Sequence, residues 1–232
     1  MSIVLDQSTV LVTGANRGLG KAFTEALVAA GATVYAGARD PGSVTTPGAT
    51  PVRLDVSDDA SVAELAARLG DVTVVVNNAG IGRSGSLLST PSLDGFREEL
   101  ETNTLGPLRT TRAFAPVLAA NGGGAIVNVL SALSWATSPT LAGYSASKAA
   151  AWSLTNVTRG ELRDQGTLVV GVHVGFLDTD MAADVEGPKL APAELVRQVL
   201  EALQQGEEEV LGDDTSRFVK SVLSGPPAHL VV

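Results

Sequence analysis

The chain has 232 residues, a net charge of −9 and 44% hydrophobic residues, with only 4% aromatic. That length suits one large α/β domain or two small ones, and the negative balance argues against a nucleic-acid partner. There is no cysteine, which excludes disulfides and thiolate metal sites, and the only two histidines, His173 and His229, stand far apart, so no metal centre is expected.

Met1 to Gln7 carries no basic-then-apolar leader, and no apolar run reaches the ~18 residues needed to cross a bilayer. The expected setting is the cytoplasm, without a membrane partner.

Ser8 to Thr13 is a short, β-branched apolar run, predicted as a buried strand. Gly14-Ala15-Asn16-Arg17-Gly18-Leu19-Gly20 follows directly. A helix comes next, with Ala22, Phe23, Ala26, Leu27 and Ala30 at helical spacing and Gly31 as its stop. Strand, glycine turn and helix form the context of a dinucleotide site. Glycine lets backbone approach a pyrophosphate, and the helix N-terminus offers free N–H groups and a positive dipole end. The alternative is a plain tight turn.

Ala32 to Ala38 is a second strand. Where an acid would bind a ribose 2′-hydroxyl, the chain has Ala38 and then Arg39. With Arg17 in the glycine turn, two guanidiniums suit a 2′-phosphate, which favours NADP over NAD. Pro41 to Thr50 reads as a loop and Val52 to Leu54 as a third strand. Asp55 follows, placed to accept from an adenine amino group; equally, Asp55 or Ser57 could cap the helix starting near Asp58.

Val62, Leu65, Ala66 and Leu69 form the apolar face of that helix. Val72 to Val76 is a fourth, wholly apolar strand, ending in Asn77-Asn78-Ala79-Gly80. In the strand order 3-2-1-4-5-6 this turn faces the glycine turn across the ligand crevice. Ser84 to Leu93 is predicted as a polar loop and Ser92 to Ala119 as a helix disturbed around Asn103, Gly106 and Pro107. That disturbance is either an ordinary kink or a means of exposing carbonyls to water. Ala125 to Leu130 is a fifth strand, with Ser131 at its carboxyl end. A helix begins near Tyr144. Leu168 to Val174 is a sixth strand, Gly175 to Ala191 a loop, Pro192 to Gln204 a helix, and Val210-Leu211 a short edge strand before the tail. The fold class is α/β: one doubly wound parallel sheet of about seven strands, helices on both faces, in a single domain over residues 1–232 with a substrate loop at about 176–192.

Tyr144 and Lys148 lie four apart, one helical turn, and a nearby ammonium lowers a phenol's pKa. Alone the spacing is commonplace. In order along the chain, however, Thr13-Gly14-x-x-x-Gly18-x-Gly20, Asp55, Asn77-Asn78-Ala79-Gly80, Asn103, Ser131 and Tyr144-x-x-x-Lys148 closely resemble the short-chain dehydrogenase/reductases, over positions from about 8 to 181.

The resemblance implies a catalytic set of Asn103, Ser131, Tyr144 and Lys148. Tyr144 is the general acid or base, Ser131 polarises the carbonyl oxygen, Lys148 binds the nicotinamide ribose and tunes Tyr144, and Asn103 holds a water linked to Lys148. It implies cofactor contacts from Gly14, Asn16, Arg17, Gly18, Leu19, Gly20, Arg39, Asp55, Val56, Asn77, Ala79, Gly80, Tyr144, Lys148, Gly175, Leu177 and Thr179. One departure is Val174-Gly175, where the family usually has Pro-Gly. It bears on how the nicotinamide ring is seated.

Leu133, Trp135, Leu141, Phe176 and Met181 stand beside the expected site with Ser131, as a substrate pocket or simply as an apolar wall near the core. Their character points to a small hydrophobic ketone or aldehyde in a fairly open pocket. Alternatives are C=N or enone reduction on the same site, or a non-catalytic NADP-binding sensor. The resemblance also implies a homodimer or homotetramer built on the Asn103 and Tyr144 helices.

Overall fold

The computed structural model describes residues 2–83 and 85–231. Seven strands form one parallel sheet in the order β3-β2-β1-β4-β5-β6-β7. They are β1 Thr9–Thr13, β2 Thr33–Ala38, β3 Thr50–Arg53, β4 Val74–Asn77, β5 Ala125–Val129, β6 Leu168–His173 and β7 Glu209–Leu211. Successive residues of a strand point to opposite faces, and the core divides accordingly. Val10, Val12, Val74, Val76, Val127 and Val170 pack on one face with helices α1 (Gly18–Ala29) and α6 (Pro192–Gln205). Leu11, Val75, Ile126 and Val169 pack on the other, with α2 (Asp59–Arg68) and α4 (Gly106–Ala120). Both faces are covered, so the central strands are mostly apolar on both sides rather than alternating, with Asn77 and Asn128 paired to each other inside the layer. The order reverses between β1 and β4, which opens a crevice at their carboxyl ends.

The expected disturbed helix is three pieces: α3 (Asp94–Leu100), a π-helical turn over Glu101–Leu105, and α4. The irregularity falls at Asn103 and Thr104, one turn before Gly106-Pro107. Pro107 sits where the π turn runs on into α4, and its missing N–H leaves a carbonyl of that turn without a helical partner. Gly106 is needed for close approach: a Cβ there would lie 2.9 Å from Val56 Cγ2.

The loop after β6 is closed at its neck, because Asp178 N donates to Leu190 O (3.0 Å) and Leu190 N to Phe176 O (2.9 Å). One helix went unanticipated. The segment α7 (Asp214–Ser221) follows α5 (Ala142–Glu161) and α6 in the chain and lies where only a tail was expected. Its signal was present: Asp213 and Ser216 form a reciprocal capping box. Among the described residues no helix is long and apolar enough to cross a membrane.

Candidate active site

The floor of the crevice is stitched from two turns. Thr13 Oγ1, at the end of β1, accepts from Asn78 N (3.0 Å) and Ala79 N (2.9 Å). Asn78 Nδ2 returns bonds to Thr13 O (2.9 Å) and Gly14 O (3.2 Å). Gly14 has φ 65°, and a Cβ on it would sit 3.0 Å from Ala79 Cα. A Cβ on Gly20 would collide with the Gly14 carbonyl. Only glycine allows this packing. Helix α1 starts after Arg17 without a side-chain cap, so its first N–H groups are open to an anion. Thr179 reaches over the turn, its Cγ2 3.5 Å from a Cβ built on Gly18. This cradle fits a dinucleotide pyrophosphate.

The adenosine-side expectations fare unevenly. Arg39 is exposed and lowers the Asp55 pKa only as a minor influence. The Ser57 hydroxyl is the main one, and Asp55 Oδ1 accepts from Ser57 Oγ at 2.6 Å. Neither Asp55 nor Ser57 caps α2; Asp58 does, accepting from Ala60 N (2.9 Å). Arg17 Nη1 lies 3.8 Å from Asp180 Oδ2, both side chains mostly in solvent, a pair too exposed to hold the guanidinium firmly.

Asn77 differs from expectation. It is buried, donates to Asn128 Oδ1 (2.8 Å) and accepts from Thr110 Oγ1, so its amide is engaged inside the sheet layer rather than toward adenosine. Asn78 performs the crevice-side work. Leu19 and Val56 are core side chains, 7% and 8% exposed, which leaves only their backbone for a ligand. Leu177 also packs on the core. Asn16 is half-buried at the turn. Gly175 N donates to Asp213 Oδ2 (2.9 Å), so a side-chain carboxylate holds the Val174-Gly175 step without a proline.

The chemistry-bearing groups converge at the carboxyl end of β5. Ser131 is buried there, its Oγ accepting from Leu133 N (3.1 Å) and donating to Val174 O (3.5 Å), with the Tyr144 phenol beside it. Tyr144 stands in the first turn of α5. Its pKa is pushed up from 10.0 to about 12, chiefly by burial, with the Ser131 hydrogen bond opposing and the Glu99 charge adding. Lys148 is buried, its pKa pushed down to about 8, and Nζ donates to Val129 O at 2.7 Å. It lies 5.6 Å from the Tyr144 ring centroid. In this geometry burial is the largest influence on Tyr144, and the Lys148 ammonium points to a backbone carbonyl. Desolvation outweighs an ammonium turned toward a backbone carbonyl.

Asn103, in the π turn, accepts from Ile81 N (2.9 Å) and donates to Ile81 O (2.8 Å) and Ser147 Oγ (3.0 Å). Its side chain thus anchors the segment after β4. A Cβ on Gly80 would lie 3.2 Å from Asn103 Oδ1 and 3.8 Å from Lys148 Nζ, so the asparagine and lysine flank Gly80 together.

Of the expected substrate residues, Met181 lies with the catalytic Tyr144 against Gly82: a Cβ there would be 3.7 Å from Tyr144 Cδ2 and 3.9 Å from Met181 Sδ. Phe176 is 43% and Met181 58% exposed, while Leu133 and Leu141 are half-buried. Trp135 is a correction. It is 8% exposed, stacked on His173 (centroids 3.6 Å apart) and edge-on to Trp152, so it belongs to the packing behind Ser131. His173 was missed. Its Nδ1 lies 3.1 Å from Ser131 O, and burial pushes its pKa down to about 4, so the neutral ring braces the serine's backbone. The available signal was a polar residue ending an otherwise apolar strand.

The crevice thus joins a glycine-turn anion cradle to a cluster of Ser131, Tyr144 and Lys148. The short chain dehydrogenase family matches residues 8–189, and the chain belongs to that family. It is 35% identical over 206 residues to the short chain dehydrogenase tazN of Aspergillus terreus, covering 81% of this chain and 44% of that protein. It is 33% identical to the short chain dehydrogenase pigC of Monascus ruber over 203 residues, 79% of this chain and 67% of that one. The chain thus spans less than half of the first relative's length and about two thirds of the second's. Among solved structures, a short chain dehydrogenase from Burkholderia cenocepacia in complex with NADP superposes with a TM-score of 0.93 at 38% identity, covering 98% of this chain and 97% of that one. A short-chain dehydrogenase from Streptomyces avermitilis gives 0.83 at 29% identity, with coverage of 96% and 95%.

Proposed function

We propose that the protein is an NADPH-dependent reductase of small hydrophobic ketones or aldehydes, running in reverse as an alcohol dehydrogenase. The observation that carries this is the meeting of the Ser131 hydroxyl, the Tyr144 phenol and the buried Lys148 beside a glycine cradle. The cradle at Gly14, Gly18 and Gly20 would hold the pyrophosphate, and Thr179 and Lys148 the nicotinamide end. NADPH, when bound, supplies the hydride that reduces the carbonyl carbon.

Tyr144 donates its proton to the carbonyl oxygen, and Ser131 donates a hydrogen bond to that same oxygen, polarising it. A neutral phenol is the form reduction requires; a phenol already holds its proton at neutral pH, and the desolvation around half-buried Tyr144 acts in the same direction. For oxidation the phenol must first lose its proton. Lys148 aids that step once its ammonium turns from Val129 O toward the ribose. The apolar, partly exposed Phe176 and Met181 support a hydrophobic substrate.

NADP is favoured over NAD because β2 ends in Ala38 and Arg39 rather than in an acid, the next acid, Asp40, accepts from Gly42 N (3.0 Å), and Arg39 lies exposed beside Asp55; the NADP of the Burkholderia relative is in keeping with this. A homodimer or homotetramer is favoured by Leu105 and Val157, exposed on the helices flanking the site at 38% and 52%, and sedimentation giving only monomer would refute it.

The test is a panel of ketones, aldehydes, cyclic imines, enones and alcohols, followed by nicotinamide absorbance. Ketone or aldehyde turnover is expected, with Tyr144→Phe losing at least about 100-fold in kcat while still binding NADPH. Imine or enone turnover alone, or a Tyr144→Phe variant as active as wild type, would refute the reading.

A further inference from the structure

Glu99 lies in α3, amid the charged run Arg97-Glu98-Glu99, and yet is only 2% exposed. A buried carboxylate is costly unless something uses it. Its Oε1 accepts from Arg83 N at 2.8 Å. Its Oε2 lies so close to Gly143 that any Cβ there would overlap it. One helical turn on, Asn103 binds Ile81 through both its N–H and its carbonyl. The two side chains therefore hold alternate residues, Ile81 and Arg83, of the segment leaving β4. The residue between them is Gly82, which faces Tyr144 and Met181.

We propose that Glu99 is a positioning residue for the tyrosine: its carboxylate tethers the Gly80–Arg83 wall of the substrate site and places a fixed negative charge at the start of α5. This rests on the proposed role of Tyr144. Wall and charge have separate consequences. The tether sets how closely Gly82 and Met181 approach the substrate beside Tyr144. The charge opposes ionisation of Tyr144, so the phenol keeps its proton to higher pH and becomes harder to convert to the base that oxidation needs. Burial raises the pKa of Glu99 itself, while Arg83 lowers it. The charged and titratable groups facing Glu99 are Arg83, whose guanidinium is paired with Glu98, and Tyr144.

Two substitutions separate tether from charge. Glu99→Gln keeps an acceptor for Arg83 N and removes the charge. Glu99→Asp keeps the charge and shortens the arm. The chain has two tyrosines, Tyr35 and Tyr144, so a Tyr35→Phe background leaves Tyr144 as the sole reporter. With tyrosine labelled at Cζ by carbon-13, NMR titration of the full chain reads Tyr144 directly and needs no substrate. Glu99→Gln is expected to shift the onset of that titration to lower pH, and Glu99→Asp to leave it in place.

With an alcohol from the panel, the acid limb of oxidation should move down in Glu99→Gln, and KM should rise several-fold in Glu99→Asp. A Glu99→Gln titration superimposable on its parent would overturn the charge role, and an unchanged KM in folded Glu99→Asp would overturn the tether. A shifted NMR titration in an enzyme that turns over nothing in the panel would uphold the placement of Glu99 and refute the proposed reaction.

Discussion

Gly20 offers a direct test of the cofactor cradle, because two physical effects of Gly20→Ala oppose each other. It lies in the first turn of α1 without a positive φ, so helix propensity alone would favour alanine by about 1 kcal/mol. Space forbids it: the new methyl would collide with the Gly14 carbonyl and press on Asn78 Nδ2. The helix start and the β1 turn must then separate, and the N–H groups that face the pyrophosphate move with them. Overpacking of this kind costs about 1–3 kcal/mol. At 1.4 kcal/mol per factor of ten, NADPH should bind from about five-fold to over a hundred-fold more weakly. Calorimetric titration with NADPH measures this without a substrate. Gly70→Ala, at a position with no heavy atom within 4 Å, is the control and should bind as wild type. A folded Gly20→Ala protein with wild-type NADPH affinity would refute the cradle.

Arg39→Ala is expected to weaken NADPH far more than NADH; equal loss for both would remove the 2′-phosphate role. His173 contributes a pH dependence of known sign. Its pKa falls from 6.5 in the unfolded chain to about 4 in the folded one, so the unfolded state binds the extra proton in between. Stability is therefore lost as pH drops from 6.5 toward 4. Denaturant unfolding should show His173→Gln, which keeps a donor for Ser131 O but does not titrate, gaining on wild type across that window; parallel curves would contradict it. Gly160 lies near the end of α5 with nothing within 4 Å of a built Cβ. Gly160→Ala should raise Tm by roughly 2–4 °C, as about 1 kcal/mol of helix propensity implies, and a lowered Tm would count against that helix.

The strands, helices and glycine turn were legible in sequence because they rest on local patterns, while the sheet order followed from the usual topology of a doubly wound sheet. Apolar runs, turn glycines and helical spacing are each set by residues close along the chain. The convergence of Ser131, Tyr144 and Lys148 was legible only through an ordered resemblance, since their spacing alone is commonplace. Burial and partner choice were not legible, because they depend on residues distant in sequence. Asn77 and Asn78 are neighbours of one type, and pairing with Thr110 and Asn128 turns one into the sheet layer while Thr13 and Gly14 draw the other to the crevice. Trp135 reads as a pocket aromatic until His173 is found stacked on it.

The tyrosine–lysine pair shows the division most clearly. Its presence on one helical turn follows from the sequence. Its resting electrostatics follow from burial and from Glu99, which only the packing of α3 against α5 brings near, and these drive Tyr144 up where spacing alone implied it would fall. Local covalent order sets which groups can meet; desolvation, which acts through the whole surrounding volume, sets what they do when they have met.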